Sequence, residues 1–355
     1  MAKVFTNLYS RLTSFENLYL AYLNAARGKR GHPDVAEFDY RFEANLFDLQ
    51  DELQNKTYSP GGYYSFYIRD PKRRLVSAAP FRDRVVHHAL CQIIEPIFER
   101  TFIPDSYANR VGKGTHAALD RAQDFARRYP YVLQCDVKQF FPSVDHPTLR
   151  RSLLRKIADP DVIGLCDRIL ESGAGVLADE YTPVWFPGDD LFSINRRRGL
   201  PIGNLTSQFW ANVLLNELDQ FVKRGLQCAA YLRYVDDFLL FAGDKRLLWD
   251  WRQAIIRFLI DLRLTLHETR STIYPTVTGI PFLGFRLYPT HRRLKRRNGV
   301  AFARRLRHSL RLYRCGRLAL AEVHARVQGW VAHAAHGDTW GLRRALLARA
   351  TIRST

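Results

Sequence analysis

With 355 residues, 46% of them hydrophobic and 13% aromatic, the chain is long enough for one large multipart body or two to three subdomains, and its composition excludes a disordered protein. Lys and Arg number 54 against 35 Asp and Glu, a formal +19, so a polyanionic partner is expected, nucleic acid ahead of an anionic membrane surface. Five scattered cysteines without a CxxC pair imply neither a disulfide framework nor a zinc site, and no apolar run reaches about 18 residues, so a soluble cytoplasmic protein with no membrane partner is expected.

Residues 5–57 read as mostly helical, with Phe15, Leu18, Tyr19 and Tyr22 and then Phe42, Leu46, Leu49 and Leu53 at helical spacing. Core packing explains both stripes. Residues 58–79 switch to a two-residue period with a turn at Asp70-Pro71, which predicts a hairpin whose far strand carries Lys72, Arg73 and Arg74. Those charges are either a solvated turn or a basic finger for a triphosphate or a template backbone. FRDRVVHHALCQIIEPIFE (81–99) reads as a helix with a basic start through Arg82 and Arg84. Its neighbours His87 and His88 lack the i, i+4 relation of a metal clamp and are expected to be structural. A Gly-Lys-Gly turn around Lys113 precedes the next helix, a loop expected to lie along nucleic acid but short of a complete phosphate-binding fingerprint.

Tyr131 to Cys135 make a buried strand that Asp136 interrupts. A carboxylate at the end of an apolar strand is costly unless it is paired or bound to a cation, which makes Asp136 a candidate for chemistry. Asp145 reads instead as a helix N-cap or turn residue. Residues 147–175 are helical, and 176–198 form a turn-rich surface insertion whose Asp189-Asp190 pair is expected to be exposed or to pair with Arg. In 199–223 a glycine-punctuated loop leads into a helix, and Gly203, Thr206 and Ser207 would let something flat approach the backbone.

The segment YLRYVDDFLLF (231–241) sets Asp236 and Asp237 between aromatic and aliphatic runs, predicting a tight hairpin raised on a buried base. Its tip is a candidate metal site; an ordinary Asp-Asp turn is the alternative. Beyond it come an amphipathic helix (245–262), an alternating strand (262–268), a second hairpin (279–289) and helices at 304–313 and 320–334. From Thr290 on, sixteen Lys or Arg face only Glu322 and Asp338, a net +14 that is mostly arginine and so suited to forked phosphate contacts.

The order of an apolar strand ending in Asp136, a PIGNLTSQ loop, a YVDD hairpin and an FLGF hairpin resembles the palm of a reverse transcriptase, from about residue 58 to 289 and more weakly through the tail. The fold so implied is α+β, a right-hand polymerase. A helical N-terminal extension (1–57) would precede interleaved fingers and palm with an antiparallel sheet (58–289), and a basic helical thumb (290–355) would follow. The activity so implied is RNA-directed DNA synthesis, with two Mg2+ ions, or Mn2+ in their place, stabilising an in-line displacement.

The resemblance places Asp136 and Asp236 as ligands of both ions, Asp237 as a weaker ligand and the carbonyl of Val137 as another. Phe141 takes the steric-gate position that excludes a 2′-hydroxyl and selects dNTPs; Arg74, helped by Lys72, meets the triphosphate; Gly203 and Gln208 lie near the incoming base and template. Where relatives often place a lysine near the leaving pyrophosphate, this chain offers Arg270. Arg292, Arg293, Lys295, Arg296, Arg297, Arg304 and Arg305, with Arg82 and Lys113, would track the template RNA and primer or cDNA, with binding that falls steeply with salt.

Ser207-Gln208, GKGTHAAL, FFPSVD, FLGFRLYPTH and the Trp-containing GWVAHAAHGDTW are similar to reverse transcriptases of diversity-generating retroelements. Those imply a template-repeat RNA and a small basic accessory protein or a structured non-coding RNA as partners. Antiphage defence, template-independent DNA synthesis on the same fold and a non-catalytic RNA-binding scaffold are the other readings, the last disfavoured by an intact set of three aspartates.

Overall fold

The computed structural model describes residues 3–69 and 73–348. Four helices open the chain, α1 (Tyr9–Leu12), α2 (Phe15–Ala26), α3 (Pro33–Tyr40) and α4 (Phe42–Gln54). Ser14 caps α2 by accepting the Asn17 amide at 3.3 Å, and the stripe Leu18, Ala21, Tyr22, Ala25 is buried. Leu46, Leu49 and Leu53 of α4 are buried in the same core. A short antiparallel hairpin follows, β1 (Tyr64–Ile68) with β2 (Arg74–Ala78), paired from Tyr64↔Ala78 to Ile68↔Arg74. The predicted turn at Asp70-Pro71, together with Lys72, lies outside the described residues. Helix α5 (Phe81–Glu99) then runs along α2.

After α6 (Thr115–Arg128) the chain enters its central sheet with β3 (Tyr131–Asp136). Helices α7 (Phe140–Ser143), α8 (His146–Leu154), α9 (Pro160–Ser172) and α10 (Leu205–Gln220) intervene before β4 (Tyr231–Tyr234) and β5 (Asp237–Ala242). Helix α11 (Lys245–Asp261) leads to the edge strand β6 (Thr272–Pro275). Strand order is β4-β5-β3-β6, antiparallel throughout.

Both faces of this sheet are covered, and the two-residue period sorts its side chains. Leu133, Cys135, Phe238 and Leu240 point into the large core shared with α5, α10 and α11. Val132, Leu232, Leu239 and Phe241 point into a second core under α6. That is why β3 and β5 read as near-continuous apolar runs.

A second sheet joins β7 (Ile280–Phe282), β8 (Phe285–Leu287) and β9 (Arg292–Leu294), with Leu283 and Gly284 both at positive φ in the β7–β8 turn. The first residues of the basic tail thus pair with β8 rather than belonging to a helical segment. Three helices follow, α12 (Arg296–Arg314), α13 (Leu320–Ala334) and α14 (Trp340–Ala348), around a small core of their own in which Phe302 and Trp330 stack at 3.8 Å.

One expectation changes and two gain detail. Residues 262–268 are not a strand: Leu262, Leu264 and Leu266 are buried as their alternation predicted, but Arg263 has φ +55° and only Leu266 bridges, to Val137. Alternation reported burial there without a strand partner; β6 supplies the edge instead. Asp145 stands at the N-cap position of α8, yet its carboxylate accepts from Arg196 at 2.7 Å and from the Thr148 hydroxyl rather than from helix amides. Finally, what approaches Gly203 (φ +128°) is the chain itself, since a Cβ there would lie 3.1 Å from the Ser77 carbonyl oxygen of β2. Among the described residues no helix is long and apolar enough to cross a membrane.

Candidate active site

Strand pairing brings two distant carboxylates together. Asp136 is the last residue of β3 and Asp237 the first of β5, and the two are direct partners in the register; Asp236 precedes Asp237 in the β4–β5 turn, and its carbonyl accepts the Val137 amide at 3.3 Å. The turn is Val235-Asp236, closed by Tyr234↔Asp237. Val235 has φ +55°, a left-handed conformation that costs a β-branched residue about 1–2 kcal/mol and persists only when the surroundings enforce it.

The enforcement comes from below. Arg233 and Asp219 are both fully buried and joined at 2.7 Å. The guanidinium also donates to Asn212 Oδ1 (3.1 Å), Ser106 Oγ (3.2 Å) and the Val235 carbonyl (3.1 Å), while Tyr231 donates its hydroxyl to Asp219 at 2.7 Å. Burial works against the Arg233 charge, but the Asp219 carboxylate outweighs it and raises the pKa above its usual value. Burial beside that carboxylate likewise pushes the Tyr231 hydroxyl well up. From the side, Tyr234 shares a hydroxyl hydrogen bond with Thr115 at 3.1 Å, tying the turn to the loop of the Gly-Lys-Gly motif.

Above the turn opens a cavity of about 460 Å3, bounded by Arg73 and Arg74 of the β1–β2 hairpin, Phe141, Tyr234, Asp236 and Asp237. The size suits a nucleotide-sized ligand. Leu177 and Glu180 of the 176–198 insertion also line it, and Gln139 holds the insertion there by donating to the Glu180 carbonyl at 2.9 Å. The insertion is therefore part of the wall and not only a surface appendage. Within it Asp189 pairs with Arg263 at 2.8 Å; the Phe186 amide, and after it Arg263, hold its carboxyl below the ordinary range.

Asp136 has a further partner. Its Oδ2 accepts from Arg270 at 2.9 Å, while its backbone carbonyl accepts from the His267 amide at 2.7 Å. The donor set of Asp136, Asp236, Asp237 and the Val137 carbonyl is all oxygen, which fits a hard divalent cation. Among the described residues, however, no three Asp, Glu, His or Cys side chains meet as a ready-made ion cage.

Other expected site residues are distributed as follows. Gly203 and Gln208 flank the start of α10 and do not line the cavity, and Lys72 is outside the described residues. Arg82 is paired with Glu52, Lys113 donates to the Pro104 carbonyl at 2.8 Å, and Arg292 bridges to Asp120 at 2.7 Å and to Gln123. Arg293, Arg296, Arg297, Arg304 and Arg305 are exposed and Lys295 is half-buried. His87 and His88 lie in α5, where burial drives their pKa values down to about 3 and about 4.

Sequence reasoning missed the Arg233–Asp219 base, although the signal was present. A charged residue inside the apolar run YLRY meets the same criterion that singled out Asp136.

Comparison with known proteins gives a consistent picture. A family model described as reverse transcriptase (RNA-dependent DNA polymerase) matches residues 68–287, which includes all three aspartates and stops at the end of β8. Protein YkfC of Escherichia coli K12 is 27% identical over 287 residues, covering 70% of this chain and 72% of that protein. The group II intron-encoded protein LtrA of Lactococcus lactis subsp. cremoris is 28% identical over 227 residues, covering 62% of this chain and 36% of LtrA. Nuclear intron maturase 1, mitochondrial, of Arabidopsis thaliana is 27% identical over 284 residues, covering 62% of this chain and 39% of the maturase. The chain thus spans little more than a third of the length of these two intron proteins. Among solved structures, apo telomerase from Candida tropicalis, truncated from its C-terminal domain, aligns with a TM-score of 0.48 at 12% identity, covering 66% of this chain and 55% of that one.

Proposed function

The chain belongs to the reverse transcriptase (RNA-dependent DNA polymerase) family, with its right-hand polymerase fold, and from that premise we propose that it synthesises DNA on an RNA template by nucleotidyl transfer. The observation that carries the reading is the register of β3 on β5, which sets Asp136 beside Asp237, while Asp236 and Asp237 themselves line a cavity shared with Arg74 and Phe141.

Asp136, Asp236, Asp237 and the Val137 carbonyl would hold two Mg2+ ions, or Mn2+, which when bound supply charge neutralisation for an in-line displacement. The chain's own groups do the rest. Arg233 fixes the turn that presents Asp236. Arg73 and Arg74, with Lys72, provide positive charge for the triphosphate. The Phe141 ring closes the space a 2′-hydroxyl would need, selecting dNTPs. Gly203 seats the β1–β2 hairpin against the loop before α10, and Gln208 stands one turn farther on. Exposed Arg293, Arg296, Arg297, Arg304 and Arg305, with Lys295, follow the template RNA and primer or cDNA. Arg82, Lys113 and Arg292 flank this path from positions where each also holds a protein partner.

Ser207-Gln208 and the GWVAHAAHGDTW segment support a role in a diversity-generating retroelement, with a small basic accessory protein as partner. The names of LtrA and of the maturase favour a second reading, in which the template or bound RNA is an intron.

The test is primer extension on an RNA template annealed to a DNA primer, with Mg2+ and dNTPs, comparing the native chain with Asp236→Ala. Extension by the native protein that vanishes in the variant is expected. Extension that survives the substitution would remove this site from the chemistry, and its absence in both, even with co-purified RNA and protein, would leave a binding scaffold. Competition between a repeat-derived RNA and a group II intron RNA then separates the two roles.

A further inference from the structure

Arg270 sits in the turn that precedes β6, within reach of Asp136. β3 lies between β5 and β6, so Asp136 has Asp237 on one side and, on the other, the turn that leads into β6. That turn is tight: the Arg270 and Ser271 amides both donate to the His267 carbonyl, at 3.1 and 3.0 Å, and the His267 amide donates to the carbonyl of Asp136 itself. The backbone carrying Arg270 is therefore anchored to the residue its side chain reaches. The pair is unequal in exposure, with the Asp136 side chain 16% exposed and that of Arg270 53%. The carboxylate is recessed, and the guanidinium can turn outward without disturbing the core.

Resting on the polymerase reading above, we propose that Arg270 gates metal loading at Asp136. A guanidinium holding Oδ2 at 2.9 Å competes with any divalent cation for that carboxylate, both by occupying the oxygen and by like-charge repulsion. Arginine does not deprotonate at working pH, so the gate opens by displacement, and an anion that binds the guanidinium favours its release. A nucleoside triphosphate is such an anion, with the oxygen geometry that suits a forked donor. Cation and nucleotide then bind as a coupled pair, each tightening the other by the same factor. The gate keeps the carboxylates from trapping ions when no nucleotide is present.

The experiment needs no turnover. Mn2+ is titrated onto the full chain by electron paramagnetic resonance, without primer or template, for the native protein, Arg270→Gln, Arg270→Lys and Asp136→Asn. Arg270→Gln is expected to bind Mn2+ about tenfold more tightly, Arg270→Lys within about twofold of native, and Asp136→Asn to lose the site. Binding of a fluorescent dNTP analogue is then followed with and without Mn2+; the Mn2+-induced tightening expected in the native chain should shrink severalfold in Arg270→Gln. Equal or weaker Mn2+ binding by Arg270→Gln, with the site still dependent on Asp136, overturns the gate while leaving the polymerase reading intact. Mn2+ binding indifferent to Asp136→Asn overturns both.

Discussion

Arg233 and Asp219 are both fully buried beneath the β4–β5 turn, joined by two hydrogen bonds and held by four more to Tyr231, Asn212, Ser106 and the Val235 carbonyl, whereas the arginines of α12 stand exposed over a core of six buried side chains. A cleft of about 810 Å3 between α12 and α13, floored by Phe302 and Trp330, adds to the contrast. In the palm sheet charge is used to fix a backbone carbonyl to within a hydrogen bond. In the helical tail it is left in water, as the phosphate contacts proposed for it would require. Geometry that must hold carboxylates in place needs buried, fully paired charge; a surface that slides along a polyanion needs the opposite.

The sharpest test of that contrast is to remove one charge from each region. Arg233→Met should lower the free energy of unfolding by about 3–5 kcal/mol, because Asp219 is left buried without its partner, and urea denaturation measures it. The double variant Arg233→Met with Asp219→Leu should recover most of the stability, since both desolvated charges leave together. It should still fail to extend a primer, because the Val235 carbonyl has lost its donor. Arg304→Ala should change stability by no more than about 0.5 kcal/mol.

Acid should separate the regions next. The pKa of His87 in α5 is lowered from 6.5 to about 3, mainly by burial. The folded state therefore disfavours the protonated ring, so its contribution is complete above about pH 6.5 and declines as the pH falls toward 3. By pH 4 the loss from His87 alone is about 3 kcal/mol, and His87→Gln should flatten the slope in urea midpoints taken at pH 7, 5.5 and 4.

The helical tail carries a milder version of the same effect. His116 on α6 meets His333 at 3.3 Å and stacks on His336 at 3.5 Å, and burial followed by its two neighbours lowers the His116 pKa. Asp120 opposes that shift and Arg292 reinforces it. Acid should therefore loosen the contact between α6 and α13 with the same sign but a smaller amplitude, read as earlier protease cleavage of the tail below about pH 6 in native protein than in His116→Asn.

Salt gives the third measurement. Replacing Arg296, Arg297 and Arg304 together should reduce the slope of log affinity for a template–primer against log salt by about 2–3, with little change in folding. The smallest effect is the most diagnostic for the turn. Val235→Gly relieves a positive φ and should leave stability unchanged or raise it by about 1 kcal/mol, yet reduce primer extension by letting Asp236 wander. Extension at the native rate would show that the strained turn is not needed.

Much of this was legible in the linear chain for physical reasons. Helical stripes such as Leu46, Leu49, Leu53 and the apolar run of β5 report burial directly, and the aspartates of CDVKQFF and YVDD stood out because charge in an apolar strand is costly unless it is paired or bound. The tertiary structure alone decided what depends on pairing. The alternating 262–268 segment buries its leucines without becoming a strand, Arg292–Leu294 joins a sheet from within a helical tail, and Gly203 makes room for β2. The partners of Arg233 at Asp219 and of Arg270 at Asp136 lie 14 and 134 residues away. Side-chain periodicity is a local property that composition and spacing record; which charge meets which is set by strand register and helix packing, and these exist only once the chain has folded.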